Sequence, residues 1–360
     1  MNGLFLHTSW RSSGTWIWQS LRSRPDYLGF YEPLHEDLPN MSVAGIAARA
    51  PDRWRSRHPG QSSPYFQEYL PLLGRRLFRA GPRGVEKAEP GFAFSRFYMG
   101  ADEQYESLRA YIAQLCEMAW RQGRAPVLKC TRTQGRFAWF KAQFPEAQHV
   151  LLIRQPWAQF CSAWRFFVED ANPYFLAVPF VVLARNAAHP DVAALIAALK
   201  LKMPPVLLPN RVSLMLWTHA LRLLPPVMLY KAHLALWLLN ALYALPAAEH
   251  VFDGDAPAGA LAETLGVNIR HTTRPKTAPL QRLPDFPVET VAQTHRIACQ
   301  ALSGRFDPPV AARIAAWLAT AEAEAERDLR FASIISAHQI KKDDRFVKSK
   351  LQIKSISMIE

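Results

Sequence analysis

The first residues of the chain combine a strand-like run, a polar loop and a helical pattern. Leu4–His7 form a short apolar run suited to a buried strand, and small or polar residues fill most of the loop that follows. From Thr15 onward, apolar residues recur at helical spacing. A strand, a small-residue loop and a helix in this order direct backbone N–H groups and a helix N-terminus at one anion. We therefore interpret residues 8–16, the cradle loop, as a phosphate or sulfate site. The side chains that add charge or hydrogen-bond donors to it are Arg11, Ser12, Ser13 and Thr15.

Strand-like and helix-like patterns alternate along the chain. Further strands are predicted at residues 27–31, 126–130, 149–153 and 250–253, and helices at 65–78, 103–122, 136–143, 156–168, 226–245, 258–265 and 307–329. This alternation indicates a parallel sheet with crossover helices, and it predicts an α/β fold with three α/β/α layers. We expect one domain over residues 1–335, enlarged by a helical insertion at about 169–245, and a basic tail over residues 336–360.

Charge and cysteine content narrow the class of protein. The 360 residues carry a formal net charge of +13, which favours anionic partners. Charge alone leaves nucleic acid, acidic lipid, nucleotides and sulfated or phosphorylated substrates open. The four cysteines are far apart, which argues against a zinc site and against a disulfide framework. The first strand leaves no room for a secretory signal, so we expect a cytoplasmic protein with reduced thiols.

One stretch, residues 226–245, is long and apolar enough to resemble a membrane span. It contains Lys231 and His233 in its first half. A lysine within a span costs about 2.5–3.5 kcal/mol on insertion scales. This cost favours a buried or surface-docked helix, and peripheral membrane contact stays open.

The cradle loop lacks the residues of a magnesium-dependent nucleotide site. A P-loop NTPase needs GxxxxGK[ST], in which the lysine binds the β- and γ-phosphates and the hydroxyl binds magnesium. Here Gly14 is followed by Thr15 and Trp16, and the later apolar strand ends in Arg154 rather than aspartate. We therefore expect no metal site. The same differences argue against the alternative of a nucleotide kinase or other phosphotransferase.

A second motif follows the strand at residues 149–153. Arg154 stands at the end of that strand, Pro156 opens the next helix, and Ser162 lies about two turns further on. A guanidinium and a nearby hydroxyl can bind a second phosphate group, with arginine making bidentate contacts. The alternative interpretation is an ordinary connection with a surface arginine and a solvent-facing serine.

Together the two motifs resemble those of the sulfotransferases that use 3′-phosphoadenylyl sulfate (PAPS). Ser13-Gly14-Thr15 matches the centre of the family's 5′-phosphosulfate loop, and Arg154, Pro156 and Ser162 match the spacing of its 3′-phosphate motif. Two positions depart from the family pattern. Ser12 stands where a basic residue usually precedes Ser-Gly-Thr, with Arg11 one place earlier, and Trp16 replaces a second hydroxyl residue.

The resemblance implies a P-loop-NTPase-like fold and transfer of a sulfuryl group from PAPS to a hydroxyl or amine. The product would be adenosine 3′,5′-bisphosphate, and no metal or nucleic acid is implied. The residues that it assigns to PAPS are Arg11, Ser12, Ser13, Gly14, Thr15, Trp16, Arg154 and Ser162. The acceptor stays open among carbohydrate, lipid, protein tyrosine and small molecule, and so does the oligomeric state. A non-catalytic basic binding module is the remaining alternative.

The sequence YEPLHE at residues 31–36 offers candidates for a general base. The resemblance assigns that role to Glu32, directly after the second strand, with Arg11 holding charge beside it. His35 and Glu36 are rival bases. The structural alternative is that Glu32 pairs with Arg11 or Arg154. Other basic residues expected near the site are Lys129 and Arg132 after the third strand, and Arg274 and Lys276 in a late loop.

Overall fold

The computed structural model describes residues 2–49, 63–75, 82–203, 216–217, 219–256, 259–266 and 283–330. The strands are β1 (Leu4–His7), β2 (Tyr27–Tyr31), β3 (Leu73–Arg75), β4 (Pro82–Val85), β5 (Ala125–Cys130), β6 (Gln148–Ile153) and β7 (His250–Asp253). The helices include α1 (Gly14–Arg22), α2 (Val43–Ala47), α3 (Glu106–Arg121), α4 (Phe137–Gln143), α5 (Pro156–Glu169), α6 (Tyr174–Arg185), α7 (Pro190–Ala198), α8 (Pro226–Ala244), α9 (Gly259–Leu265), α10 (Glu289–Ala301) and α11 (308–330).

Five parallel strands form the central sheet in the order β2-β5-β1-β6-β7. β1 lies in the middle, so that His7 is in register with Cys130 on one side and with Leu151 on the other. β1 and β5 are buried along their whole length, as expected for a sheet with helices on both faces. Since all five strands run the same way, the loops after β1, β2, β5, β6 and β7 meet at one edge.

Helices cover both faces of the sheet, which gives the three α/β/α layers predicted from the sequence. One core packs α1 and α3 against the sheet, with Trp18 and Leu115 fully buried. The other core contains α5, α6 and α8, with Trp157 and Leu239 fully buried. Apolar burial on both faces therefore fixes the sheet, and its carboxyl edge is left for the polar loops.

The predicted insertion forms α6, α7 and α8 and enlarges the second core. Within the described residues, 226–247 is the one helical stretch with the length and apolar composition of a membrane span, and 78% of its most apolar window is buried inside the protein. α8 therefore has the burial of a core helix, in agreement with the preference drawn from Lys231.

The structure differs from the sequence prediction in two parts of the chain. A helical fragment was expected at residues 65–78, but the structure has a short 3₁₀ helix, Gln67–Leu72, followed by β3. Pro71 explains the difference, because proline removes a backbone donor and clashes with the preceding turn of an α-helix. α10 carries no strong sequence signal and was not expected. The tail over residues 336–360 lies outside the described residues.

The burial of α8 makes its leucines sensitive to truncation. We expect Leu239→Ala to lower the free energy of unfolding by about 2–5 kcal/mol, because Leu239 is fully buried and the change leaves a cavity. Leu223→Ala is the matched control, since Leu223 is 87% exposed and its loss should change stability by less than about 0.5 kcal/mol. Urea unfolding of the two variants measures the difference. Equal losses would contradict the placement of α8 in the core.

Candidate functional site

The cradle loop follows β1 at the carboxyl edge of the sheet. Arg11 and Ser13 both have left-handed backbone conformations, with φ of 67° and 69°. Ser12 closes the turn: its hydroxyl donates to the Ser9 carbonyl at 2.8 Å and accepts from the Ser9 N–H at 3.2 Å. Left-handed residues that alternate with right-handed ones form a backbone concavity that binds anions. α1 then begins at Gly14, one residue before the helical pattern predicted from Thr15 onward.

Several backbone N–H groups of this loop make no hydrogen bond in the described part of the chain. The N–H groups of Trp16 and Ile17 reach the Ser13 carbonyl at 3.1 and 3.5 Å. Within the described part of the chain, the N–H groups of residues 12–15 have no acceptor. Unpaired N–H groups at a helix start carry partial positive charge. The loop therefore has the donors of an anion site.

Gly14 allows the cradle loop to lie close to the end of β5. A Cβ atom at this position would overlap the side chain of Thr8 and lie 3.1 Å from Lys129 Cε. The side chain of Lys129 therefore passes directly beside the loop. Glycine is required at this position because the side chains of Thr8 and Lys129 lie too close to leave space for a Cβ atom.

The two motifs that are distant in sequence meet in the structure. Arg11 Nε donates to Ser162 Oγ at 2.9 Å, and its guanidinium stacks 4.3 Å from the ring centre of Phe166. Arg154 Nη1 donates to the carbonyl oxygen of Arg11 at 3.3 Å. Two guanidinium groups and a hydroxyl thus lie together beside the cradle loop. The sequence motifs had grouped Arg154 with Ser162 at a second phosphate site and Arg11 with the cradle loop, whereas in the structure Arg11 bonds Ser162.

Residues after β7 complete this cluster. Arg154 Nε donates to both carboxylate oxygens of Asp255, at 2.7 and 2.8 Å. Ser13 Oγ donates to the carbonyl of Gly254, where a Cβ atom would lie 2.7 Å from the Ser12 carbonyl oxygen. Sequence analysis had assigned Gly254 and Asp255 no role. The sequence feature that could have identified them is the Gly-Asp pair directly after a predicted strand, because loops at the carboxyl ends of parallel strands form binding sites.

Glu32 lies in a buried charge network at the ends of β2 and β5. It pairs with Lys129 Nζ, and it accepts hydrogen bonds from Arg132 Nη1 at 2.7 Å, from Thr131 Oγ1 at 2.7 Å and from the Thr131 N–H at 3.1 Å. Its partners are therefore Lys129 and Arg132 rather than Arg11 or Arg154, because β2 pairs with β5. Burial alone would raise the pKa of Glu32, but the cations Lys129 and Arg132 outweigh burial and lower it.

The rival bases have different surroundings. Arg132 Nη2 donates to Glu36 Oε2 at 2.5 Å and to the Tyr174 hydroxyl at 2.9 Å, and that hydroxyl donates to Glu36 Oε1 at 2.8 Å. Burial opposes ionisation of Glu36, yet His35 in its protonated form and Arg132 hold its pKa at about 2. Burial lowers the pKa of His35, and its Nδ1 accepts the Asp37 N–H at 3.2 Å. Hence at neutral pH the histidine is uncharged and both glutamates are ionised.

The remaining predicted residues have less to do with this edge. Trp16 is partly buried against the first core. Arg274 and Lys276 lie outside the described residues. No group of three or more histidine, cysteine or acidic residues among the described ones could hold a metal ion. The expectation that no metal takes part stays a prediction.

Comparisons with models of protein families, with curated proteins and with solved structures find no match to this chain. Function is therefore argued from the site. The carboxyl edge combines a backbone anion cradle, two arginines with a serine beside it, and a buried carboxylate held by two cations. This arrangement can bind a ligand that carries two separate anionic groups.

Glu36 makes stability depend on pH. Its folded pKa of about 2 lies below the usual value of 4.5, so the unfolded chain binds the proton more tightly. The stabilisation is complete above about pH 5 and is lost as the pH falls toward 2, by about 3 kcal/mol in all. We expect Glu36→Gln to reduce the change in the free energy of unfolding between pH 5 and pH 2, as measured by urea unfolding at each pH. Glu106→Gln, at a fully exposed position on α3, is the control that should leave the pH dependence nearly as it was.

Proposed function

We propose that this protein is a sulfotransferase that moves a sulfuryl group from PAPS to a hydroxyl or amine of an acceptor. The observation that carries the proposal is the contact between Arg11 and Ser162 beside the cradle loop, 2.9 Å from Nε to Oγ. It joins the two motifs that resemble the phosphosulfate and 3′-phosphate sites of that family. The sheet order, with the cradle loop after the central strand β1, supports a P-loop-like arrangement.

PAPS has two anionic groups, and the site offers a set of donors for each. The backbone N–H groups of residues 12–15 would hold the 5′-phosphosulfate. Arg154, Ser162 and Arg11 would hold the 3′-phosphate, with guanidinium groups suited to bidentate contacts. In this assignment Asp255 orients Arg154 through its Nε, the Arg11 carbonyl accepts from its Nη1, and Nη2 is left for the ligand.

We assign to Lys129 the positive charge that the family usually places directly before Ser-Gly-Thr. The family's usual basic residue is Ser12 here, and the Ser12 hydroxyl is occupied within the loop. Arg11 is turned toward Ser162. Lys129 reaches the loop from β5, and its ammonium group is compact and adaptable enough to follow a phosphate oxygen. It would stabilise the negative charge that develops on the leaving phosphate.

Glu32 is the proposed general base. The acceptor oxygen or nitrogen would attack sulfur in line, the bond from sulfur to the phosphate oxygen would break, and the acceptor proton would pass to Glu32. The carboxylate is ionised at neutral pH but is a weak base while Lys129 and Arg132 hold it. Transfer of Lys129 to the phosphosulfate would raise the pKa of Glu32. Binding of PAPS would thus activate the base. His35 is less suited, because its Nδ1 already accepts a backbone hydrogen bond.

The 3′-phosphate contacts predict discrimination between PAPS and adenylyl sulfate, which lacks that phosphate. We expect calorimetry to give at least about tenfold tighter binding of PAPS, since hydrogen bonds to a charged group contribute roughly 1.5–3 kcal/mol. Ser162→Ala should reduce the preference. Ser107→Ala, at an exposed position on α3, should preserve it. Equal affinities of the native protein for both nucleotides would overturn the assignment, and sulfuryl transfer abolished by a chelator would favour a metal-dependent phosphotransferase.

The base assignment predicts a separation of binding from turnover. Glu32→Gln should lower sulfuryl transfer about 10²–10⁴-fold and keep PAPS binding, because the change removes a proton acceptor and no phosphate contact. It also leaves two buried cations without their shared carboxylate, at a cost of about 3–5 kcal/mol. PAPS calorimetry and activity are therefore measured on the same folded sample. Glu106→Gln is the control. Full turnover in Glu32→Gln would exclude Glu32 as the base, and a binding module would show no turnover in either form.

A further inference from the structure

The aromatic ring of Tyr31 lies beside the ammonium group that pairs with Glu32. Tyr31 is the last residue of β2 and is in register with Lys129 of β5. Lys129 Nζ lies 4.8 Å from the centre of the Tyr31 ring, and both residues are buried. A cation within about 6 Å of a ring centre is attracted by the negative face of the ring, more strongly where water is excluded. The ammonium group therefore has a second partner besides the carboxylate.

A left-handed backbone at Glu32 makes this double contact possible. Successive side chains of an extended chain point to opposite faces, so Tyr31 and Glu32 would not ordinarily reach the same group. Glu32 has a φ of 46°, which is strained for a residue with a side chain. The Glu32 N–H donates to the Lys129 carbonyl at 2.7 Å, and the His35 N–H donates to the Glu32 carbonyl at 2.9 Å. Strain that the surrounding hydrogen bonds retain at such a point indicates a functional arrangement.

Neighbouring rings hold Tyr31 in place. The centre of its ring lies 5.0 Å from those of Trp18 and Tyr65 and 5.5 Å from that of Phe66. Its hydroxyl lies 3.4 Å from Thr15 Oγ1, in the first turn of α1. Burial raises the pKa of this hydroxyl, so that it stays uncharged. One fixed side chain therefore contacts both the ammonium group and the helix that begins at the cradle loop.

The two cations beside Glu32 are held to different extents. Arg132 also donates to Glu36. Among the described residues, the Lys129 ammonium group has the Glu32 carboxylate and the Tyr31 ring as its partners. Lys129 is therefore the cation that can leave Glu32 for an anion in the cradle loop. A buried ammonium group without any partner is strongly unfavourable, and the ring reduces that cost during the exchange.

We propose that Tyr31 is a positioning residue that holds the Lys129 ammonium group as it passes from Glu32 to the phosphosulfate. This inference rests on the proposed function and assigns a role to a residue that contacts neither PAPS nor the acceptor proton. The ammonium group stays beside the ring in both of its positions. Without this attraction Lys129 remains on Glu32, which keeps the carboxylate weakly basic and slows proton transfer.

Fluorinated phenylalanines at position 31 test this role, because fluorine withdraws negative charge from the face of the ring and nearly preserves its shape. Tyr31→Phe is the reference, and mono-, di- and trifluorophenylalanine follow it. We expect kcat for sulfuryl transfer to fall stepwise, by about 3- to 30-fold over the series. The acidic limb of the kcat profile should also move to lower pH, because Glu32 then keeps a lower pKa in the PAPS complex. A role in packing alone would move neither quantity.

The same series at Phe30 is the matched control. Phe30 is fully buried at the adjacent position of β2, where its ring packs against Tyr69, and its side chain points to the opposite face of the strand from Tyr31. Fluorination there should leave kcat and the acidic limb unchanged. An active native protein in which fluorination at position 31 changes neither quantity overturns this inference alone. A folded native protein that moves no sulfuryl group from PAPS overturns the proposed function, and the inference with it.

Discussion

The buried charge network of Glu32, Lys129 and Arg132 is the interaction on which the functional edge depends. Each of these ions loses several kcal/mol of hydration on burial, and that loss is offset only while all the partners remain in place. The network joins β2 to β5, and through Glu36 and Tyr174 it reaches α6. It therefore fixes the ends of two strands and the start of the insertion relative to one another. It also keeps two cations buried beside the cradle loop, with their charges balanced by Glu32 and Glu36.

Sheet topology explains why these charges meet. β5 lies between β2 and β1, so its last residues can contact Glu32 on one side and the cradle loop on the other. Lys129 uses both neighbours: its ammonium group pairs with Glu32, and its side chain passes Gly14. An anion in the cradle would compete with Glu32 for the same cation. Such competition would couple anion binding to the basicity of Glu32 through Lys129.

Local patterns predicted much of this architecture, and non-local contacts account for most of what they missed. The apolar runs at residues 4–7 and 149–153 and the helical spacing after Thr15 are properties of neighbouring residues, so the strands, α1 and the cradle could be located. The partners of Glu32 depend on strand order, which no single segment encodes. The pairing of Asp255 with Arg154, 101 positions apart in the chain, also depends on strand order. Residues 226–245 visibly contain His233 and Asn240, but the sequence does not show that their polar atoms are buried without a hydrogen-bond partner among the described residues.

Arg11 connects the cradle loop to the residues that follow β6. Its carbonyl oxygen accepts a hydrogen bond from Arg154, and its guanidinium donates one to Ser162. Residues 12–15 of the same short loop present their N–H groups to the anion site. The left-handed backbone at Arg11 and Ser13 restricts the loop to few conformations, because such φ values are strained for residues with a side chain. A displacement of Arg11 would therefore also change its contacts with Arg154 and Ser162. With the Arg11 guanidinium held by Ser162, the cation beside Gly14 is Lys129 of the neighbouring strand β5.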